Sequence, residues 1–166
     1  MRIQEESEFL SLINQNLGIA HKVCRIYFRE EEIYKDALQE MMYQLWRSFS
    51  SFQRDSKFST WMYRVCLNTA ITYKKKEQRH TGKDLKATHF EIADVDLGDK
   101  NLMINELYQA IGTLSALNKA IILLYLEEMS YEEIAGITGL SKSNISVKLV
   151  RIKRELEAKL KSIRHV

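Results

Sequence analysis

The chain contains no proline, and only six of its 166 residues are glycine. Proline removes a backbone donor and clashes with the preceding helical turn, and glycine raises the entropy lost on ordering; these two residues interrupt helices most strongly. A chain without the first and sparing with the second is predicted to be helical along most of its length. The length suits one compact domain or two small ones. With 45% hydrophobic and 28% charged residues, the balance is that of a soluble globular protein rather than a disordered one. No apolar run approaches the roughly 20 residues that a membrane-spanning helix needs, so no membrane insertion is expected. The N-terminus, Met1-Arg2-Ile3-Gln4-Glu5-Glu6, is acidic and lacks an apolar signal core, which makes a cytoplasmic protein the expectation. Cys24 and Cys66 lie within helical patterns, as reduced thiols rather than a disulfide framework or metal site.

Apolar spacing divides the chain. Phe9, Leu12, Ile13, Leu17, Ile19, Ala20, Val23, Ile26 and Tyr27 recur at three and four residues, as one long helix or as two abutting at Gly18. Ile33 to Phe49 repeats the period, residues 50–56 read as a polar loop, and Phe58 to about Gln78 forms a third helix. The stripe Phe58, Met62, Val65, Cys66, Thr69, Tyr73 is expected to face a core. Residues 1–79 therefore read as one helical domain. Residues 80–100 hold two glycines, four aspartates and few large apolar groups, and read as a flexible linker. The helical period returns from Asn101, so residues 101–166 form a second domain. The fold class is all-α: two small helical domains, the C-terminal one a helix-turn-helix.

Charge follows the same divisions. Residues 1–56 carry a net −2, 57–86 a net +6, 87–110 a net −4 and 111–166 a net +3. Basic helices are the footprint of a polyanion binder, provided the blocks contain side chains that can use it. Two do. Ser130-Tyr131-Glu132-Glu133 is a capping box opening a short helix to Thr138. Gly139-Leu140-Ser141 breaks the chain and caps a helix beginning at Lys142. This is a helix-turn-helix with Ile134, Leu140, Ile145 and Leu149 as its seam. Ser143, Ser146, Val147, Lys148, Val150, Arg151 and Arg154 lie on or beside the outward face of the second helix. Methyls and short polar groups there suit base edges, and cations suit phosphates. In the first domain Phe52, Lys57 and Phe58 precede a face of Trp61, Arg64, Asn68, Ile71 and Lys75. Aromatics among cations suit unpaired nucleic acid, although the same rings could fill a core.

With these residues in place the chain resembles the bacterial RNA polymerase sigma factors of the extracytoplasmic-function group. Asp36-Ala37-Leu38-Gln39-Glu40-Met41-Met42-Tyr43-Gln44-Leu45-Trp46-Arg47 resembles the family's polymerase-binding helix. Phe58-Ser59-Thr60-Trp61-Met62-Tyr63-Arg64-Val65-Cys66-Leu67-Asn68-Thr69-Ala70 resembles its promoter-melting helix, and Met129 to Ala135 the opening of its helix-turn-helix. The resemblance implies a factor, not an enzyme, that binds core RNA polymerase and directs it to promoters. Asp36, Gln39 and Glu40 would meet the polymerase clamp helices. Phe52 to Ser59, with Asn68, would hold a flipped base of the opened −10 element, and Ser146, Val147, Val150 and Arg151 would read the −35 duplex. Promoter DNA, core polymerase and an anti-sigma factor are the implied partners, and no cofactor is implied.

Two positions depart from the family pattern. Ser146 stands where relatives often carry Arg, and Val150 near where they often carry an aromatic or Arg/His-like residue, which favours methyl and small polar contacts over a bidentate guanine contact. The chain ends at Val166 without a further domain, so regulation is expected from outside it. The alternative reading is a helix-turn-helix regulator that is not a polymerase subunit. It would need a sensing or dimerising half, where this chain has an aromatic and basic one. His21, His80, His89 and His165 are scattered without metal-ligand spacing, and no glycine-rich phosphate loop exists, which argues against an enzyme.

Overall fold

In this computed structural model, residues 2–81 and 99–165 are described, and their regular structure is entirely helical. The chain divides into two compact units, Met1–Gly82 and Lys83–Val166. The first holds α1 (Arg2–Tyr27), α2 (Glu31–Ser48), one turn of 3-10 helix (Phe49–Ser51) and α3 (Phe58–Thr81). The second holds α4 (Asp99–Gly112), α5 (Ala116–Leu126), α6 (Tyr131–Thr138) and α7 (Lys142–Arg164). His80, Thr81, Asp99 and Lys100, assigned to the linker on composition, are helical. The rest of that expected linker lies outside the described residues.

Each of α1, α2 and α3 packs on the other two. The core between them is built from Phe9, Ile13, Val23 and Cys24 of α1, Ala37, Met41 and Leu45 of α2, and Met62, Cys66, Leu67 and Ala70 of α3. Alanines at 20, 37 and 70 are buried as well, so little side-chain bulk separates the helices there. The core arc of α3 differs from the expected stripe. Tyr63, Leu67 and Ala70 are buried beside Phe58, Met62 and Cys66, while Val65, Thr69 and Tyr73 are only half-buried. A helix wedged against two neighbours buries a broader arc than one neighbour would cover. Thr69 turns its hydroxyl back to the Val65 carbonyl at 2.7 Å instead of offering it to the core. The thiols are packing groups: Cys24 Sγ lies 3.5 Å from Met41 Sδ. Burial pushes the Cys24 thiol up to about 12 and raises that of Cys66 too, so both stay protonated and unreactive at neutral pH.

In the second unit the caps sit where the sequence placed them. Ser130 Oγ accepts from Glu133 N–H at 3.1 Å, and the Glu133 carboxylate accepts from Ser130 N–H at 2.8 Å. Ser141 caps α7 by accepting from Asn144 N–H at 3.2 Å. A third cap, Ser115 opening α5, was not anticipated. α6 packs on α5 and α7, with Ile134 and Ile137 of α6, Ile145, Leu149, Ile152 and Leu156 of α7 and the run 119–124 of α5 all buried. Caps are worth about 1 kcal/mol each and buried leucines or isoleucines about 2–5 on truncation, so the core holds the motif and the caps set where each helix begins.

Two glycines predict opposite responses to one substitution. Gly18 is exposed within an uninterrupted α1, and a Cβ there meets nothing within 4 Å. Gly18→Ala will raise hydrogen-exchange protection in α1 by about 0.5–1 kcal/mol, the helical difference between the two residues. Gly139 also has room for a Cβ, but its φ of 78° places it in the left-handed region, where it closes α6 through its N–H to the Ala135 carbonyl. Gly139→Ala will lower protection in α6 and α7 by about 1–2 kcal/mol. Equal signs at the two positions would contradict this assignment.

Candidate nucleic-acid and protein interfaces

Asp36 and Gln39 of α2 are exposed and Glu40 is half-buried, on the face opposite Ala37, Met41 and Leu45. Glu40 accepts a hydrogen bond from the Gln44 amide at 2.8 Å. Tyr73 of α3 borders this face. Burial first, and then the carboxylates of Asp36, Glu77 and Glu40, push its phenol up. The face thus carries two carboxylates on one helix. It also presents Tyr43 and Trp46, 55% and 47% exposed, which the sequence reading assigned to no site. The signal was available: Asp36, Glu40, Tyr43 and Arg47 recur at helical spacing along one stripe. Trp46 keeps one edge against Phe9, with ring centroids 5.1 Å apart. Aromatic residues are enriched at protein interfaces.

The second surface lies where the loop after α2 enters α3. Phe49, Phe52, Phe58 and Trp61 form one aromatic cluster with all ring centroids within 6.5 Å, and Phe9 joins it through Phe49. Within it Phe58 follows its place in the expected core stripe rather than its place among the DNA-facing candidates. It is 9% exposed and lies under Phe52 and Trp61, so it supports this surface and cannot offer a ring face to a base. Tyr63, two residues after Trp61, is core. Phe52 and Trp61 are half-buried, while Lys57, Arg64, Asn68 and Lys75 are exposed. The arrangement is an aromatic wall at the start of α3, followed by an amide and cations along the helix. Lys74 is diverted inward, 3.7 Å from Glu77 and 5.8 Å from the centroid of the Phe28 ring.

The third surface is the first half of α7. Ser143, Ser146, Arg151 and Arg154 are exposed, Lys148 is half-buried, and Val147 and Val150 are 50% and 49% exposed. All lie away from the buried arc Ile145, Leu149, Ile152, Leu156. The cations of α7 sort themselves by position. Lys153 donates to the Tyr125 hydroxyl at 2.8 Å and sits 4.1 Å over its ring. Lys159 and Lys161 pair with Glu155 and Glu157 at 3.0 Å each, and Arg164 reaches Glu106 at 3.6 Å. Lys148, Arg151 and Arg154 have no ion-pair partner among the described residues. The charge left available is therefore concentrated beside the two valines.

Family models for Sigma-70 region 2 and Sigma-70 region 4 match residues 12–80 and 104–156. The ECF RNA polymerase sigma-E factor of Haemophilus influenzae is 30% identical over 141 residues, which span 77% of this chain and 75% of that protein. Two solved structures share the fold. The sigma factor RpoE of Bartonella quintana, solved with the anti-sigma factor NepR, superposes with a TM-score of 0.74 at 21% identity, covering 93% of this chain and 97% of RpoE. CnrH, solved with the cytosolic domain of CnrY, superposes with a TM-score of 0.67 at 20% identity, covering 95% and 90%.

Proposed function

We propose, from the premise that this chain belongs to the ECF RNA polymerase sigma factors, that its two units divide promoter recognition between them. The protein binds core RNA polymerase and directs promoter-specific initiation, as a non-catalytic initiation factor. In the first unit, Asp36, Gln39 and Glu40 dock on the polymerase clamp. Phe52, Lys57, Trp61, Arg64, Asn68 and Lys75 act on the opened −10 strand, with Phe58 supporting them from beneath. In the second, Ser143, Ser146, Val147 and Val150 face −35 base edges with Arg151, while Lys148 and Arg154 meet phosphates.

The observation that carries this reading is the presence of two separate surfaces of different character. One offers half-buried aromatics and an exposed amide, suited to a base already out of its stack. The other offers an outward helix face with methyls and cations, suited to a duplex groove. A lone regulator needs only the second. An anti-sigma factor is the expected external control, as RpoE and CnrH were solved with partners of that kind or with a cytosolic domain. No helix among the described residues is long and apolar enough to cross a membrane, and action on polymerase places the protein in the cytoplasm. The test is gel filtration with purified core polymerase. A sigma factor will co-elute with core in the absence of DNA, whereas a stand-alone regulator will elute apart and bind promoter duplex by itself.

A further inference from the structure

The loop that joins α2 to α3 is anchored at both ends. Phe52 N–H donates to the Phe49 carbonyl at 3.0 Å where the chain enters, and Trp61 N–H donates to the Lys57 carbonyl at 3.2 Å where it leaves. The Phe52 ring lies against Phe58 and Trp61 at 5.6 and 5.2 Å. Between these anchors the loop turns at Arg54, whose φ of 59° is left-handed, a conformation that a residue with a Cβ adopts at a cost. What meets Arg54 there comes from a distant part of the chain. Its guanidinium donates to the carboxylate of Glu8 on α1, 46 residues away in sequence.

We infer that Glu8 is a positioning residue for −10 recognition, clamping the Arg54 turn so that the loop is ordered before DNA arrives. This rests on the reading of Phe52 to Ser59 as the −10 loop. A loop ordered in advance loses less conformational freedom on binding, and its side chains discriminate between bases from a fixed geometry. The sign of the effect is diagnostic. A carboxylate close to a DNA-binding loop repels phosphate, so if Glu8 acted only through its charge, its removal would strengthen DNA binding and leave base preference alone. A clamp predicts the reverse.

The experiment uses holoenzyme assembled from core polymerase and wild-type, Glu8→Gln, Arg54→Gln or doubly substituted protein. Open-complex formation is read by permanganate on promoters that differ in one −10 base. Glu8→Gln will lower discrimination between the preferred and substituted base by about threefold, within the range of an exposed ion pair. Arg54→Gln will lose a similar amount, and the double variant no more than either, because both remove one shared contact. The difference from wild type will shrink as salt rises, since both groups are exposed, at 68% and 40% of their side chains. Unchanged or improved discrimination by Glu8→Gln, or losses that simply add, would overturn the proposal. Phe52→Ala in the same assay separates the two levels. If it keeps full discrimination, the loop is not the −10 site and the clamp falls with it. If it loses discrimination while Glu8→Gln does not, the clamp alone is wrong.

Discussion

Asp36→Lys with Glu40→Lys will abolish binding to core polymerase while leaving helicity intact. Among the described residues the two carboxylates hold up none of the fold: Asp36 is exposed, Glu40 accepts from the neighbouring Gln44 amide, and Ala37, Met41 and Leu45 bury the opposite side of α2. Their electrostatic reach is visible at Tyr73, whose phenol they help to push up. Reversing two charges at the centre of the proposed docking face replaces attraction by repulsion. Disrupted interfacial charge pairs cost about 2–5 kcal/mol, or roughly 30-fold to several-thousand-fold in affinity. Titration of core with fluorescently labelled protein reads the affinity, and circular dichroism checks the helices. Unchanged affinity would remove α2 from the polymerase interface.

The second large effect separates two arginines on α7. Arg151 and Arg154 are both exposed and lack ion-pair partners among the described residues. Val147 and Val150 can meet thymine methyls but neither donate nor accept hydrogen bonds, which leaves Arg151 as the long donor at a position proposed to face bases. A base contact by arginine is worth about 1–3 kcal/mol of discrimination, whereas losing a phosphate contact lowers affinity for every sequence and reduces the salt dependence. Arg151→Ala will therefore relax preference at one −35 position, and Arg154→Ala will weaken all promoters alike. Transcription from a promoter library with each variant distinguishes them. Uniform weakening by Arg151→Ala would make it a phosphate clamp and rotate the docking of α7.

The elements legible in the sequence are those specified locally. The boundaries of α6 and α7 follow from Ser130, Glu133, Gly139 and Ser141, each acting within four residues of its partner, and the buried arc of α7 follows from its period. The continuity of α1 through Gly18 is not a local matter. One glycine costs a helix about 1 kcal/mol, and burial of Phe9 and Ile13 before it and Ala20, Val23 and Cys24 after it outweighs that. The rotation of the α3 core arc toward Tyr63, Leu67 and Ala70 depends likewise on two neighbours that no spacing within α3 reveals.

The candidate surfaces were legible to differing degrees. The outward face of α7 was readable because a single helix contains both its buried and its exposed arc. The pairing of Lys159 and Lys161 with acids four residues earlier could be read from spacing, but that of Arg164 with Glu106 could not. The aromatics around α3 were ambiguous for a chemical reason: a ring that stacks on a base and a ring that fills a core have the same composition. Burial separates Phe58 and Tyr63 from Phe52 and Trp61. Glu8 carried no signal at all, since its partner Arg54 lies in another element.

Run-off transcription with purified core polymerase on fragmented genomic DNA tests the central claim most directly. Core alone, or this protein alone, will yield no discrete transcripts. Together they will yield transcripts whose start sites share two upstream elements, one melted and one duplex, at a fixed separation. Absence of discrete transcripts from the mixture, with the protein binding duplex DNA equally well whether or not core is present, would contradict a sigma factor and leave a helix-turn-helix regulator in its place.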